Sequence, residues 1–413
     1  MIDRIISIDI LRGFALLGIL IMNITSFAMP SMSYFSPLIY DVSLPNHIVY
    51  CISHVLADQK FMAIFSMLFG ASATLFINSC LKKGKNPFLL YYSRNFWLFI
   101  IGSLHSYYLW YGDILLIYSF CAFFLYFFKN ISPQFQFILG VIIYLSPAII
   151  NFLTYEYVID HQSKVDQAVI IDHWNPSALK INEEIEVYRG SYDGQIKYRD
   201  KMWSSAEKEN SKGAIGKGII GLSLLIDLLS RSFGMMLIGM SCFSWGIFNN
   251  TRSRLYYKNF IIYGFGIGFP LSIIGLFNTY SAEWNWKYVQ FLARIPNHLA
   301  TPFISFGYIG LLMLLIRSDF MSSILERLRA IGKTALSAYL MQTIIATSIF
   351  YGFGLGLFGY IDRTGQILIM ILIWGLLLFI CPLWLKRYQY GPIEWVWRML
   401  THIRFIPLTK ISK

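Results

Sequence analysis

The sequence predicts an all-α, polytopic membrane protein with about ten transmembrane helices. Its 413 residues are 56% hydrophobic and only 14% charged, unlike the composition of a soluble globular domain. Apolar runs of about 20 residues recur along the chain, and each is long enough to cross roughly 30 Å of hydrocarbon. Aromatic residues make up 17% of the chain, as expected where tryptophan and tyrosine collect at membrane interfaces.

Ten apolar segments are predicted to span the membrane. The first begins by Ile5 and has no small-residue cleavage site before the next hydrophilic loop, so we interpret it as a membrane helix rather than a signal peptide. A shorter segment, residues 47–58, is predicted to form a re-entrant or interfacial helix. The predicted spans are residues 5–29, 58–80, 92–111, 113–128, 134–154, 226–247, 259–279, 293–316, 332–352 and 365–386.

Basic residues are distributed unevenly between the connections. Loops 30–46, 280–286 and 353–364 contain almost no lysine or arginine, whereas the alternate connections and the C-terminal tail are rich in both. The positive-inside rule therefore predicts that both termini are cytoplasmic. This bias accounts for most of the net charge of +12, and no basic face interleaved with aromatics points to nucleic acid.

Four regions follow from these spans. Residues 1–154 are predicted to form an N-terminal transmembrane half that carries the candidate site, and residues 217–386 a C-terminal transmembrane half. The polar residues 155–216 are predicted to lie outside the membrane, either as a connecting loop or as a small helical cap. Residues 387–413 are predicted to form a cytoplasmic amphipathic tail.

The tail contains the stretch GPIEWVWRMLTHIRF, with tryptophans and basic residues. Glu394 and Arg398 have the i,i+4 spacing of a favourable helical ion pair. We therefore expect a helix that lies along the inner membrane surface.

Two titratable residues lie in the apolar stretch RNFWLFIIGSLHSYYLWYGDILLIY. His105 is near the end of one predicted helix, and Asp113 opens the next after a Trp-Tyr-Gly break. A carboxylate in a membrane helix costs about 2.5–3.5 kcal/mol on insertion scales, so it marks a function or a buried partner. The two side chains are predicted to meet, either as a base with its orienting carboxylate or as a structural hydrogen bond.

The first span carries Asp9, Arg12 and Asn23 on one helical face. Asp9 and Arg12 are spaced for a local ion pair at the cytoplasmic end. This pair either anchors the helix or leaves Arg12 available to hold an anionic group.

Further charges occur in the later helices. Lys60 opens the second span, where its side chain either snorkels to the surface or joins a binding site. Asp227 and Arg231 have an i,i+4 spacing, as do Arg294 and His298. Charges of this kind usually line the protein interior or a wet cavity rather than lipid.

The five cysteines lie in or beside apolar segments, and none has metal-ligand spacing. They predict neither a disulfide nor a zinc site, and we expect no metal cofactor.

Five ordered motifs carry a resemblance to the YeiB family of bacterial membrane proteins. They run from the first span to the tail, so the resemblance covers nearly the whole chain. They are RIISIDILRGFALLGILIMN at 4–23, KFMAIFSMLFG at 60–70, the 94–118 stretch given above, GKTALSAYLMQT at 332–343 and GPIEWVWR at 391–398.

This family is grouped with the transmembrane acyltransferases, which include the lysosomal heparan-alpha-glucosaminide N-acetyltransferase and bacterial O-antigen acetyltransferases. The resemblance implies a protein of the bacterial inner membrane with that bundle. It implies transfer of an acetyl or other acyl group from a cytoplasmic acyl-CoA to a sugar, lipid or amine on the outer side. Relatives of this kind also suggest a homodimer.

Under this interpretation His105 is the general base, Asp113 orients it, and Asn23 could donate a hydrogen bond to the oxyanion. The O-antigen enzymes have a histidine late in the first span, where this chain has Asn23. The candidate residues for binding the acyl-CoA are Asp9, Arg12, Lys60, Arg94, Arg231 and Arg294.

Two other classes of function remain open. Intramembrane Asp, Arg and His residues are equally typical of a transporter or flippase with a proton relay. A non-enzymatic membrane scaffold or sensor would tolerate replacement of His105. No Walker loop or dinucleotide fingerprint supports the use of ATP or NAD.

Overall fold

A computed structural model describes residues 5–40, 42–160, 163–208, 214–318 and 320–409. Within these ranges the chain is helical and contains no strand longer than an isolated bridge. The α-helices are α1 (Ile6–Ala28), α2 (Leu44–Leu56), α3 (Lys60–Lys82), α4 (Pro87–Leu104), α5 (Leu115–Leu125), α6 (Pro133–Asp160), α7 (Lys164–Trp174), α8 (Ala178–Arg189), α9 (Tyr192–Lys208), α10 (Ala214–Ser244), α11 (Arg254–Ser281), α12 (Trp286–Phe291), α13 (Arg294–Ile316), α14 (Ser322–Lys333), α15 (Ala335–Phe350), α16 (Arg363–Arg387) and α17 (Pro392–His402).

The structure confirms an all-α polytopic membrane protein. Within the described ranges, seven helical stretches are long and apolar enough to cross a membrane: Ile6–Ala28, Leu44–Lys82, Pro133–Tyr155, Gly221–Ser244, Arg254–Ser281, Trp286–Ile316 and Arg363–Arg387. The other three predicted spans correspond to shorter or less apolar helices, which are α4, Leu115–Phe128 and Ala335–Phe350.

Helix α1 lies at the centre of the bundle, where it contacts α3, α14, α15 and α16. Helix α3 in turn packs closely on α10. A Cβ on Gly70 would lie 1.9 Å from the carbonyl oxygen of Met236, so a side chain cannot be accommodated at this crossing. Gly70 therefore serves the close packing of these two helices, as small residues do in other membrane bundles.

The predicted outer segment contains the three helices α7, α8 and α9, which we call the cap. Residues 161–162 and 209–213 of this segment lie outside the described residues. The cap is bonded to the bundle: the Ser31 amide donates to the Glu184 carboxylate at 3.0 Å, and the Trp174 indole donates to Gln290 at 2.6 Å. Burial raises the pKa of Glu184. These contacts make the segment an ordered cover over one end of the bundle.

The tail forms helix α17, but the predicted Glu394–Arg398 ion pair is absent. Glu394 instead accepts hydrogen bonds from the amides of Leu336 (2.6 Å) and Ser337 (3.1 Å) and from the Ser337 hydroxyl. It therefore caps the start of α15, where a carboxylate satisfies free N–H groups and the helix dipole favours negative charge. Arg398 lies over the ring of Tyr390.

Candidate functional site

The contacts of α3 and α4 define two ends of the bundle. Arg94 stacks over Phe76 near the α3–α4 connection. Counting 1.5 Å per residue, His105 lies about 17 Å further along α4, and Lys60 about 24 Å from Phe76 along α3. Because the short connection makes the two helices antiparallel, His105 and Lys60 lie toward the same end, and Arg94 toward the other.

Helix α4 ends in a π-helical turn, His105–Leu109. Turns of this type are rare and occur frequently at functional sites. The Trp110 amide closes the turn by donating to the His105 carbonyl at 2.9 Å. After the break, Asp113 accepts a hydrogen bond from the amide of Leu116 at 2.7 Å, so one carboxylate oxygen is held by the start of α5.

The other oxygen of Asp113 contacts His105. The Nδ1 and Oδ1 atoms are 2.7 Å apart, and both side chains are at most 1% exposed. On the far side of the ring, His105 Nε2 lies 3.0 Å from the Oγ1 of Thr343 on α15. Tyr339, one turn earlier, places its hydroxyl 3.5 Å from Asp113 Oδ1. The result is a buried chain of hydrogen bonds from Asp113 through His105 to Thr343, which we call the histidine chain.

This chain assigns chemical roles to the two ring nitrogens. An ionised Asp113 only accepts hydrogen bonds, so it selects the tautomer with the proton on Nδ1. Nε2 is then an acceptor that faces the Thr343 hydroxyl. This is the arrangement of a general base whose tautomer and orientation are fixed by a carboxylate.

A glycine allows the two helices of the site to meet. A Cβ on Gly102 would lie 2.6 Å from the backbone nitrogen of Leu116. Without a side chain at Gly102, the end of α4 packs directly on the start of α5, and this brings His105 to Asp113.

Sequence reasoning missed Thr343 and Tyr339. Both lie in the motif at 332–343, and their i,i+4 spacing puts two hydroxyls on one face of α15. This pair of hydroxyls indicates a polar face on α15, but the sequence does not show that α15 packs against the end of α4.

A second polar cluster surrounds Lys60, which is fully buried rather than at the surface. Its ammonium donates to the His54 carbonyl at 2.8 Å, to Ser272 and to Asn297. Asn297 in turn donates to Asp58 at 2.8 Å. The snorkelling interpretation of Lys60 is therefore wrong, because three acceptors replace water around its ammonium group.

Arg231 and Arg294 belong to the same cluster. Asp227 pairs with Arg231 at 2.7 Å and with Arg294 at 3.4 Å, so one carboxylate serves two guanidinium groups. The ring of His298 bonds elsewhere, with its Nε2 atom 2.7 Å from the Tyr144 carbonyl oxygen.

The remaining candidate residues for binding the acyl-CoA lie at the other end of the bundle. Arg12 pairs with Asp9 at 3.1 Å and donates to Ser72 at 2.8 Å. Arg94 is held between Phe76 and the ring of Trp397, 4.1 Å from the latter. Ser72 is 12 residues beyond Lys60, about 18 Å along α3. One phosphate group cannot contact both Arg12 and Lys60, so the six candidate residues form two groups.

Asn23 is not part of the histidine chain. It is half-buried, and its side chain makes no hydrogen bond within the described part of the protein. The ring nitrogens of His105 are bonded to Asp113 and Thr343 instead. Among the described residues no group of three or more His, Cys, Asp or Glu side chains could hold a metal ion.

Comparisons with known proteins find similar proteins in bacteria. Residues 242–404 match the family model described as protein of unknown function (DUF418). The chain is similar to YeiB. It is 27% identical over 404 residues to this uncharacterized Escherichia coli protein, covering 97% of the chain and 96% of YeiB. It is also 27% identical to the uncharacterized protein YxaH of Bacillus subtilis, covering 100% of the chain and 97% of YxaH. No solved structure matches significantly. These similarities support the YeiB resemblance.

Proposed function

We propose that the protein is a transmembrane acyltransferase that moves an acyl group from a cytoplasmic acyl-CoA to a hydroxyl or amine on the opposite side of the bacterial inner membrane. The observation that carries this proposal is the histidine chain, in which Nε2 of a carboxylate-oriented imidazole faces a hydroxyl at 3.0 Å. Acetyl is the first acyl group to test, and the acceptor is a sugar, lipid or amine.

In the proposed reaction His105 takes the proton from the attacking hydroxyl or amine of the acceptor. The acceptor oxygen or nitrogen then bonds to the thioester carbonyl carbon, and the carbon–sulfur bond breaks. The CoA thiolate leaves and receives the proton, so the products are an ester or amide and free CoA. A positioned base of this kind contributes about 10²- to 10⁴-fold to rate.

Thr343 occupies the position of the attacking hydroxyl. Two courses fit this placement: Thr343 is displaced by the acceptor, or it carries the acyl group itself before passing it on. An acetyl adduct on Thr343, detected by peptide mass spectrometry after incubation with acetyl-CoA, would identify the second course.

Arg12 and Arg94 are proposed to hold the phosphates of the donor. They lie at the end of the bundle that carries the basic connections, which the positive-inside rule assigns to the cytoplasm, as it does both termini. Guanidinium groups suit this role because their fork matches phosphate oxygens.

Binding of acetyl-CoA to the purified protein in detergent tests this donor site. We expect saturable binding that is lost in Arg12→Ala and Arg94→Ala and retained in Arg254→Ala, an exposed arginine at the start of α11. Absence of binding to folded, monodisperse wild-type protein would refute the donor site, as would equal binding by all four proteins.

A transporter or flippase is the second candidate, favoured by the buried series Lys60–Asn297–Asp58. Linked polar side chains inside a membrane protein are typical of substrate and proton pathways. In proteoliposomes, solute flux that follows a proton gradient and persists in His105→Gln would favour this candidate over acyl transfer.

A further inference from the structure

A cavity of about 50 Å³ lies beside the Lys60 cluster, under the cap. Its lining includes Asp58, Gln59 and Arg294, and the aromatic rings of Tyr34, Tyr50 and Trp174. Roughly 10–15 Å³ of such space holds one water, so the cavity admits a few waters or one small polar group. Trp174 is the last residue of α7, so the cap forms part of the wall.

Two guanidinium groups near this cavity share one carboxylate. Asp227 pairs with Arg231 at 2.7 Å and with Arg294 at 3.4 Å. Burying an unmatched charge costs several kcal/mol, so buried charges are normally paired. Arg294 is the least compensated, since it shares Asp227 with the closer Arg231 and its side chain is 26% exposed.

Two helices begin at the cavity and increase this positive character. Gln59 immediately precedes α3, and Arg294 is the first residue of α13. The dipole of a helix is positive at its start and favours an anion there. The cavity therefore combines the starts of two helices with a guanidinium that shares its carboxylate with a second arginine.

Gln59 supplies an independent sign of a ligand. Its side-chain oxygen is buried and has no hydrogen-bond partner, although Gln59 lines the cavity. Its backbone is in the left-handed region, at φ 68°, which is uncommon for a residue with a side chain. An unpaired buried acceptor requires a donor, and the ligand would supply it as a hydroxyl group.

We propose that this cavity binds an oxyanion, a phosphate or carboxylate monoanion, carried on a hydroxylated molecule. Arg294 pairs with the oxyanion, and Gln59 and Asp58 accept hydrogen bonds from the hydroxyl groups. The cavity size limits the bound part to a small head group. This chemistry occurs in soluble phosphorylated polyols and in the head groups of anionic lipids.

The inference does not depend on acyl transfer, because its test is binding alone. Purified full-length protein in detergent would be titrated with glycerol 3-phosphate and with inorganic phosphate, against sodium chloride of equal ionic strength. Thermal unfolding and isothermal calorimetry would report binding. In a second arm, the unfolding temperature would be compared in nanodiscs of phosphatidylcholine with and without phosphatidylglycerol.

Matched variants locate the site. Arg294→Gln removes the guanidinium, and Gln59→Asn withdraws the amide oxygen with a residue that tolerates the left-handed backbone. Lys287→Gln removes a positive charge from α12 without touching the cavity lining. Arg294→Lys retains the charge and controls for misfolding caused by the loss of Arg294. We expect Arg294→Gln to weaken binding by about tenfold or more, Arg294→Lys less, and Lys287→Gln within about twofold.

The outcomes separate cleanly. Stabilisation by glycerol 3-phosphate that Arg294→Gln abolishes supports a soluble ligand, and stabilisation by phosphatidylglycerol alone, also lost in Arg294→Gln, supports a lipid head group. Phosphate effects equal to those of chloride, with no effect of phosphatidylglycerol, would overturn the proposal. Equal responses of wild type and folded Arg294→Gln would overturn it as well.

Discussion

The histidine chain and the Lys60 cluster lie toward the same end of the bundle but satisfy their polar groups differently. In the histidine chain each ring nitrogen and each carboxylate oxygen has a partner within the protein. In the Lys60 cluster one carboxylate is shared by two arginines and the Gln59 oxygen has no partner. Buried polar groups are normally fully paired, so the second region is the one that calls for a ligand.

The difference suggests a division of labour. The histidine chain is preorganised: its geometry is set by the π turn, the start of α5 and α15. A base that is fixed before substrate arrives needs no rearrangement in the reaction. The Lys60 cluster keeps unused binding capacity beside a cavity. We infer that the first region serves chemistry and the second recognition.

The largest expected effect tests the first half of this comparison. His105→Gln should lower acyl transfer by about 10²- to 10⁴-fold, because the base is lost. Transfer of labelled acetyl from acetyl-CoA to envelope material would be measured in vesicles. Thr343→Val should also lower it, whereas Thr343→Ser retains the hydroxyl and should retain most activity.

His173→Gln in the cap is the control for this experiment, since it changes a histidine outside the chain. Unchanged transfer by His105→Gln would remove the catalytic role and leave the chain as a structural hydrogen bond.

The next effect tests the charge balance of the Lys60 cluster. Asp227→Asn leaves Arg231 and Arg294 without their shared carboxylate, and losing one partner of a buried pair costs about 3–5 kcal/mol. The unfolding temperature in detergent should fall, and added phosphate should recover part of the loss. Asp172→Asn, which breaks an exposed pair with Lys180, should change little. Equal stability of the two variants would contradict the assignment of Asp227 as the shared partner of both arginines.

A smaller effect is expected where α4 meets α5. Gly102→Ala puts a Cβ 2.6 Å from the Leu116 backbone nitrogen, and overpacking of this kind typically costs about 1–3 kcal/mol. It should also separate His105 from Asp113 and so lower transfer. Gly266→Ala, a helical position with open space around the added Cβ, should be neutral or slightly stabilising. If both variants behave alike in unfolding and transfer assays, the close approach does not position the base.

Local patterns in the sequence were sufficient for contacts between neighbouring residues. The helix–break–helix around Trp110 and Gly112 predicted that His105 and Asp113 meet, and the i,i+3 spacing predicted the Asp9–Arg12 pair. Thr343 is 238 residues from His105, and its contact depends on which helices pack together. A single sequence contains no direct sign of that choice.

Two errors have the same origin. Local spacing allowed both the snorkelling interpretation of Lys60, one of two alternatives, and the predicted Glu394–Arg398 pair. In the structure Asn297 and Ser272 reach Lys60 from other helices, and the start of α15 takes the carboxylate of Glu394. Tertiary partners outside the local window decided both contacts.

The smallest effect concerns the cap of α15, the helix that carries Thr343. Burial raises the pKa of Glu394, although hydrogen bonds from Ser337 and Leu336 oppose this shift. Between the ordinary and the raised pKa the folded protein binds more protons than the unfolded chain. The contribution of Glu394 to the free energy of unfolding therefore falls as pH rises through this window, and is constant above it.

Glu394→Gln keeps an amide oxygen as acceptor and cannot titrate, so its stability relative to wild type should increase with pH across the same window. Thermal unfolding of both proteins in detergent at closely spaced pH values measures the difference. If the difference in unfolding temperature between wild type and Glu394→Gln does not vary with pH, the carboxylate has the same pKa in the folded and unfolded protein.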